Sequence, residues 1–155
     1  MIKIILLRIW RIFPGWLQNV AARLIRPLFQ VYSAAVIFNE KKQILLVKLT
    51  YQRFHPWGIP GGGIDYGEQP DDAVVRELLE ETGLRIEVEK LLFAKTWASR
   101  VGMYYLCRIT EGEFQPSDEV VEIGYFTKDN LPDVRPQDVK LIVQIFEMVN
   151  HNELA

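Results

Sequence analysis

The sequence predicts one α/β domain, an α/β/α sandwich around a mixed sheet, with an amphipathic helical extension at its N-terminus. Three observations carry that expectation. Residues 31–150 alternate β-rich and helical runs in the order strands, helix, strands, helix, the pattern of helices layered on a sheet. A length of 155 residues with 49% apolar and 25% charged side chains suits one ordinary core and is too short for two. Charge divides the chain near residue 30: the first thirty residues carry five Lys or Arg and no acid, a charge of +5, and the remainder carries −7. Residues 1–30 are therefore read as a basic extension and 31–155 as the domain.

Within the extension, Arg8, Arg11, Gln18, Asn19, Arg23, Arg26 and Gln30 fall in one arc of about 140° at about 100° per residue. Most of the rest is Ile, Leu, Val, Trp and Phe. Pro14 and Gly15 divide the segment into two helices, and Pro27 stands near the end of the second. The longest uncharged apolar run, Ile4 to Leu7, is far too short to span a bilayer. Val20-Ala21-Ala22 has the small residues of a signal-cleavage site, but charges break the apolar stretch before it. The chain is expected to be cytoplasmic. The apolar face is expected to pack on the domain or on a second copy of the chain, as in a homodimer. The absence of any acid keeps a peripheral contact with an anionic membrane open.

The domain begins with a β-rich run, Val31–Asn39, a turn at Glu40-Lys41-Lys42 and a second run, Gln43–Tyr51, which together read as a hairpin. His55–Gly63, rich in Gly and Pro, reads as a loop. Pro70–Thr82 is the strongest helix. Pro70 suits the first helical position, Asp71 and Asp72 suit the positive end of the dipole, and Gly83 suits the C-terminal cap. Arg85–Ala98 and Gly102–Thr110 read as strands, Glu111–Asp118 as a polar loop and Val120–Phe126 as a short strand. Gln137–Asn150 sets Val139, Ile142, Val143, Phe146 and Val149 at helical spacing, a second amphipathic helix.

Composition closes off several chemistries. The one cysteine, Cys107, allows no internal disulfide and no cysteine-based zinc site. The only histidines, His55 and His151, exclude a polyhistidine metal centre. A net charge of −2 gives no global case for nucleic acid as a partner.

The chemistry lies between Gly62 and Leu84. Gly61-Gly62-Gly63, after Pro60, lets the backbone turn sharply and approach a ligand closely. On the helix that follows, spacings of three and four set Glu77 beside both Glu80 and Glu81. Carboxylates so placed repel each other unless a cation binds them. Arg76 answers Glu80 at i,i+4 and leaves an excess of negative charge. Hard divalent ions, Mg²⁺ above all, prefer carboxylate oxygens and keep positions for water and substrate phosphates. The patch therefore reads as a metal site for a phosphate substrate. A solvated acidic helix face is the plainer reading of the glutamates taken by themselves.

The full pattern resembles the Nudix box. Gly62, Glu68, Arg76, Glu77, Leu78, Glu80, Glu81, Gly83 and Leu84 agree at every defined position. The approach Trp57-Gly58-Ile59-Pro60-Gly61-Gly62 and the later stretch Glu119–Phe126 are also similar to the family. The resemblance implies a Nudix-type sandwich and a divalent-metal-dependent pyrophosphohydrolase. Water would attack a phosphorus of a nucleoside diphosphate linked to another group, with Mg²⁺ or Mn²⁺ as cofactor. It implies metal ligands at Glu80 and Glu81, a ligand or water-orienting base at Glu77, and a backbone carbonyl ligand from Gly61 or Gly62. It implies a structural brace between Glu68 and Arg76. Glu119 and Glu122 are candidates for a further ligand or the base. Glu119 ends a loop from which it can swing inward, and strand alternation sets Glu122 opposite Val121 and Ile123. Intact box carboxylates favour an enzyme over the alternative, a catalytically silent Nudix fold that binds a nucleotide or a partner.

The substrate is expected to be a nucleotide-type small molecule. Trp57, Phe54, Tyr51, Trp97, Tyr104, Tyr105 and Phe126 are available to stack on a base, and Arg53, His55 and Arg100 to hold phosphates. Arg53, Trp57, Tyr105 and Glu122 are taken as the substrate-binding set. The lack of proline between Pro70 and Pro116 departs from the pattern of ADP-ribose-cleaving members.

Overall fold

In the computed structural model, which describes residues 10, 12–18, 20 and 28–152, strand β1 (Gln30–Ile37) is buried on both faces toward its C-terminal end. Ala34 and Val36 turn to one side and Ala35 and Ile37 to the other, as strand alternation requires. A strand of that kind needs a layer on each side and a partner on each edge. On its edges β1 pairs antiparallel with β4 (Gly61–Gly63) and parallel with β6 (Arg100–Glu111). β5 (Arg85–Trp97) pairs antiparallel with β6, which gives a four-stranded mixed sheet in the order β4-β1-β6-β5. β2 (Ile44–Leu49), β3 (Trp57–Gly58) and β7 (Val120–Phe126) form a second, antiparallel sheet in the order β3-β2-β7.

Two helices supply the outer layers. α1 (Pro70–Thr82) covers the Ala35 and Ile37 side through Val74 and Leu78. α2 (Pro136–Asn152) covers the Ala34 and Val36 side through Leu141, Ile142, Ile145 and Phe146. Full burial of a side chain such as Leu78 or Ile142 contributes roughly 2–3 kcal/mol. α1 starts with Pro70 in its first turn and stops at Gly83, which takes the left-handed conformation at φ 73 and donates its N–H to the Leu79 carbonyl.

Two expectations change. The turn at 40–42 forms, with the Asn39 side-chain oxygen accepting from the Lys41 and Gln43 amides. It does not close a hairpin: beyond one bridge, Phe38 to Ile44, β1 and β2 part into different sheets. Both edges of β1 are taken, by β4 and by the distant β6, so none is left for β2. The stretch 55–63, read as a loop, holds the short strands β3 and β4. Glycine and proline give it no strand propensity, and the pairing is imposed by the backbones of β1 and β2.

In the extension, residues 10, 15–18 and 20 are helical, and the helix is interrupted at 12–14, beside Pro14. Arg8, Arg11, Arg23 and Arg26 lie outside the described residues, so the arc of charge is not placed. Ile12 is 82% and Trp16 68% exposed, so the domain does not cover these two. Among the described residues no helix is long and apolar enough to cross a membrane.

Candidate active site

β4 reaches α1 only because its residues are glycines. Gly61 sits at φ 147, where L side chains are rare, and a Cβ there would run into the Ser33 carbonyl and the Ala34 Cα of β1. A Cβ on Gly62 would fall in the space of the Glu77 carboxyl group. The two glycines thus let β4 lie against β1 and the acidic face of α1 at once.

Arg76 stands in the middle of that face. Its Nε and Nη2 donate to the two oxygens of Glu68 at 2.8 and 2.9 Å, and Nη2 also reaches the Gly63 carbonyl at 3.0 Å. Its Nη1 donates to Glu77 at 2.8 Å and to Glu80 at 3.3 Å. The Asp65 amide adds a donor to Glu68 at 2.9 Å. The Arg76 fork, followed by the Asp65 N–H, holds the Glu68 carboxyl down to about 2. Glu68 first and Glu77 second raise the Arg76 guanidinium further. A depressed carboxyl contributes stability in full above its unfolded value of 4.5 and loses it as pH falls through about 2. Glu68→Gln is therefore expected to lower Tm at pH 7, with the gap to the parent closing in strong acid. Thermal melting across that range checks it, and equal Tm values at pH 7 would remove the brace.

Glu81 is 7% exposed. It accepts the Gly61 N–H, but its Oε2 has no hydrogen-bond partner. Burial, then the charges of Glu77, Glu119 and Glu80, push its carboxyl up to about 7. A buried carboxylate oxygen left without a partner is costly until a cation or proton satisfies it. Among the described residues no three acidic, histidine or cysteine side chains already converge as a ligand cluster. Glu77 and Glu80 turn to Arg76 instead. The donor set is all oxygen and exceeds its cation in charge, which suits a hard divalent ion.

A cleft of about 680 Å³ opens beside this point. Gly61–Gly63, Leu49, Tyr51, Tyr32, Tyr104, Arg100 and Arg135 are among the residues that line it. Partial burial, then the charges of Glu81 and Glu119, raise the Tyr51 hydroxyl. Glu119 is exposed just before β7, and its carbonyl accepts the Thr50 N–H at 2.9 Å.

The substrate-binding set does not line this cleft. Tyr105 lies in the α1-side core, because neighbours on β6 take opposite faces and the face bearing Tyr104 opens on the cleft. Trp57 is 9% exposed and packs edge-on against Phe126 in the α2-side core. Arg53 lies over the Phe54 ring at 5.7 Å, and Glu122 is paired with Lys48 at 2.8 Å. Tyr51, Tyr104 and Arg100, which were also available by type, do line it. Tyr32, Arg135 and Asp138 were not singled out by sequence, and Gln30, read as part of the helical arc of the extension, instead opens β1, whose pairing with β6 extends that far. Their place depends on the β1–β6 pairing and on where α2 starts. The only local signal is Gly102, opposite Tyr32 in the register, whose missing side chain leaves room for the tyrosine ring. The Tyr32 and Tyr104 hydroxyls then meet at 2.6 Å.

Comparison with known proteins agrees with this arrangement. A family model described as NUDIX domain matches residues 28–145. The chain is 30% identical over 107 residues to a MutT-like protein of Streptomyces ambofaciens, covering 68% of each chain. It is 31% identical over 113 residues to an ADP-ribose pyrophosphatase of Methanocaldococcus jannaschii, covering 68% of this chain and 67% of that one. The crystal structure of an ADP-ribose pyrophosphatase from Streptococcus suis superposes with a TM-score of 0.63 at 31% identity, over 77% of this chain and 92% of that one.

Proposed function

We propose, on the premise that this chain belongs to the NUDIX family, how its own residues divide the work of hydrolysis. The chain is a pyrophosphohydrolase of nucleotide-type substrates that needs a divalent metal cation, as the family does. The metal is Mg²⁺ or Mn²⁺, and Glu77, Glu80, Glu81 and the Gly61 carbonyl are the groups that would hold it. The observation that carries this assignment is the buried, unpartnered Oε2 of Glu81 beside further carboxylates. A divalent ion held there would supply charge neutralisation for the diphosphate and would make the attacking water more acidic.

The remaining steps belong to the chain. Arg76 keeps two of its nitrogens on Glu68, so α1 and the 64–69 loop stay registered as the acidic face takes up charge. Glu119, exposed just before β7 and near enough to Glu81 for its charge to raise that carboxyl, accepts the proton of the attacking water, while Glu77, tied to Arg76, serves as a ligand. The cleft wall aligns the diphosphate, so catalysis rests on positioning and charge neutralisation. Release of phosphate or nucleotide from nucleoside triphosphates, sugar nucleotides, dinucleotides and ADP-ribose, with Mg²⁺ or Mn²⁺, tests this reading. Turnover that is lost in Glu81→Gln supports it. Silence across the panel with metal bound favours a nucleotide-binding module without turnover.

For residues 1–30 we propose a contact outside the 31–155 domain. The exposed Ile12 and Trp16 support it, together with the +5 charge of the segment. Removing residues 1–26 is expected to abolish either dimer mass in light scattering or co-flotation with anionic vesicles. The first loss identifies a second copy as the partner and the second an anionic lipid surface. An unchanged result in both assays removes the contact.

A further inference from the structure

Among the described residues, two buried side-chain polar atoms have no hydrogen-bond partner, Glu81 Oε2 and Ser33 Oγ. A bound cation accounts for the first. Nothing said so far accounts for the second. Ser33 lies in the middle of β1 and is fully buried, out of reach of water. A hydroxyl buried without a partner costs stability, and alanine fills a buried strand position of that size without the cost. Alanine does so at the next two positions of the same strand, 34 and 35. The Ser33 hydroxyl therefore adds nothing to the packing of β1.

Its direction follows from two separate observations. Strand alternation sets Ser33 on the side of Ala35 and Ile37, the side that α1 covers. The antiparallel register sets Ser33 directly opposite Gly62 of β4, and residues so paired point to one face with Cβ positions about 5 Å apart. A Cβ on Gly62 would fall in the Glu77 carboxyl group, and Oε2 is the nearer of its two oxygens. Both routes lead to the underside of α1, one strand spacing from the Glu77 carboxylate. Gly62 has no side chain to stand between them. The other neighbours that the sheet gives Ser33 on that face are Val31, Ala35 and Met103, and none carries a strong acceptor. Arg76 holds the far oxygen of Glu77, Oε1, at 2.8 Å.

We propose that Ser33 is a positioning residue for Glu77: its hydroxyl donates to Oε2 and fixes the carboxylate in the orientation that a divalent cation requires. The inference rests on the reading of Glu77 as a metal ligand. A ligating carboxylate depends on hydrogen bonds from behind to hold its plane. Arg76 supplies one, but its guanidinium is shared with Glu68 and Glu80, and its charge competes with the metal's. A neutral hydroxyl holds the same carboxylate without that repulsion. Ser33 has a single torsion to turn and no existing bond to give up, so little entropy opposes the contact.

Mn²⁺ binding to the full chain, read as Kd by calorimetry, tests this beside thermal melting in EDTA. The variants are Ser33→Ala, Ser33→Cys, Glu77→Gln and Ser33→Ala/Glu77→Gln. Ser33→Ala is expected to weaken Mn²⁺ about tenfold, the loss of one hydrogen bond to a charged group, while its metal-free Tm holds or rises. Ser33→Cys, close in size and a weak donor, is expected to lose affinity likewise. In the Glu77→Gln background, Ser33→Ala should change Kd less than about twofold, because the two residues act as one unit. Parent affinity in Ser33→Ala overturns the proposal. A weaker Kd that comes with a lower Tm in EDTA makes Ser33 part of the fold and overturns it too. A full tenfold loss in the Glu77→Gln background sends the effect through another ligand, with the same result. Glu77→Gln that binds Mn²⁺ as the parent does sinks the ligand reading, and the role of Ser33 with it. A weakened Glu77→Gln beside an unchanged Ser33→Ala sinks the role of Ser33 alone.

Discussion

Replacing Glu81 with glutamine is expected to lower kcat at least about a hundredfold and, at the same time, to stabilise the metal-free protein above neutral pH. Both effects come from one buried oxygen. The Glu81 carboxyl is raised to about 7 from 4.5, so the fold favours its protonated form. Below pH 4.5 both folded and unfolded chains hold that proton, and no penalty exists. As pH rises from 4.5 through about 7 the unfolded chain releases the proton first, so the fold loses stability over that window. A shift of that size is worth roughly 3 kcal/mol when complete. Glutamine carries no proton to lose and escapes the penalty, but it supplies no charge to a metal.

Melting in EDTA and in Mg²⁺ at pH 5 and pH 8, beside kcat, separates these effects. The parent should lose Tm between pH 5 and pH 8 in EDTA and regain it with Mg²⁺. The variant should show little of either change. An inactive variant that melts above the parent in EDTA at pH 8 is folded, so its lost activity reports the missing ligand. A variant that keeps the parent's kcat would remove Glu81 from the metal site.

Gly61→Ala is expected to destabilise the fold by about 3 kcal/mol and to reduce activity with it. The new Cβ meets backbone, the Ser33 carbonyl and the Ala34 Cα, rather than the movable end of a side chain. The φ of 147 adds strain that no relaxation of neighbours relieves. β4 would have to leave β1, taking with it the N–H that Glu81 accepts. Gly63→Ala provides the contrast on the same strand. Its Cβ would meet nothing within 4 Å, so its cost should stay below about 1 kcal/mol. Urea unfolding of the two variants checks the difference, and equal midpoints would remove close backbone approach as the reason for glycine at 61.

What could be read without coordinates was local in origin. Pro70, Asp71, Asp72 and Gly83 mark the ends of α1 within the element itself, and the helical repeat alone sets Glu77 beside Glu80 and Glu81. The spacing of Glu68 from Arg76 belongs to the same short stretch, and the two are paired in the structure. Strand runs were legible for the same reason, since β-branched and aromatic residues act on their own segment. Partners were not. The split of β1 and β2 into two sheets follows from β6 taking an edge of β1, and nothing near residue 40 records that competition.

The same limit governed the cleft. Tyr104 and Tyr105 are alike in type and adjacent in sequence and both are buried, yet Tyr104 lies on the α2 side and borders the cleft while Tyr105 lies in the α1-side core, because strand pairing decides which face of β6 each takes. Tyr32 finds Tyr104 across 72 residues of chain. Of the three glutamates on the α1 patch, Glu80 keeps a side chain 62% exposed while Glu81 is 7% exposed. Only the packing of β4 onto α1 makes that distinction. Composition, spacing and helix-end chemistry thus established the class of fold and the acidic patch, since those forces act over a few residues. Tertiary structure chose the buried carboxylate and the residues of the cleft wall, since register and layer packing join residues that sequence keeps far apart.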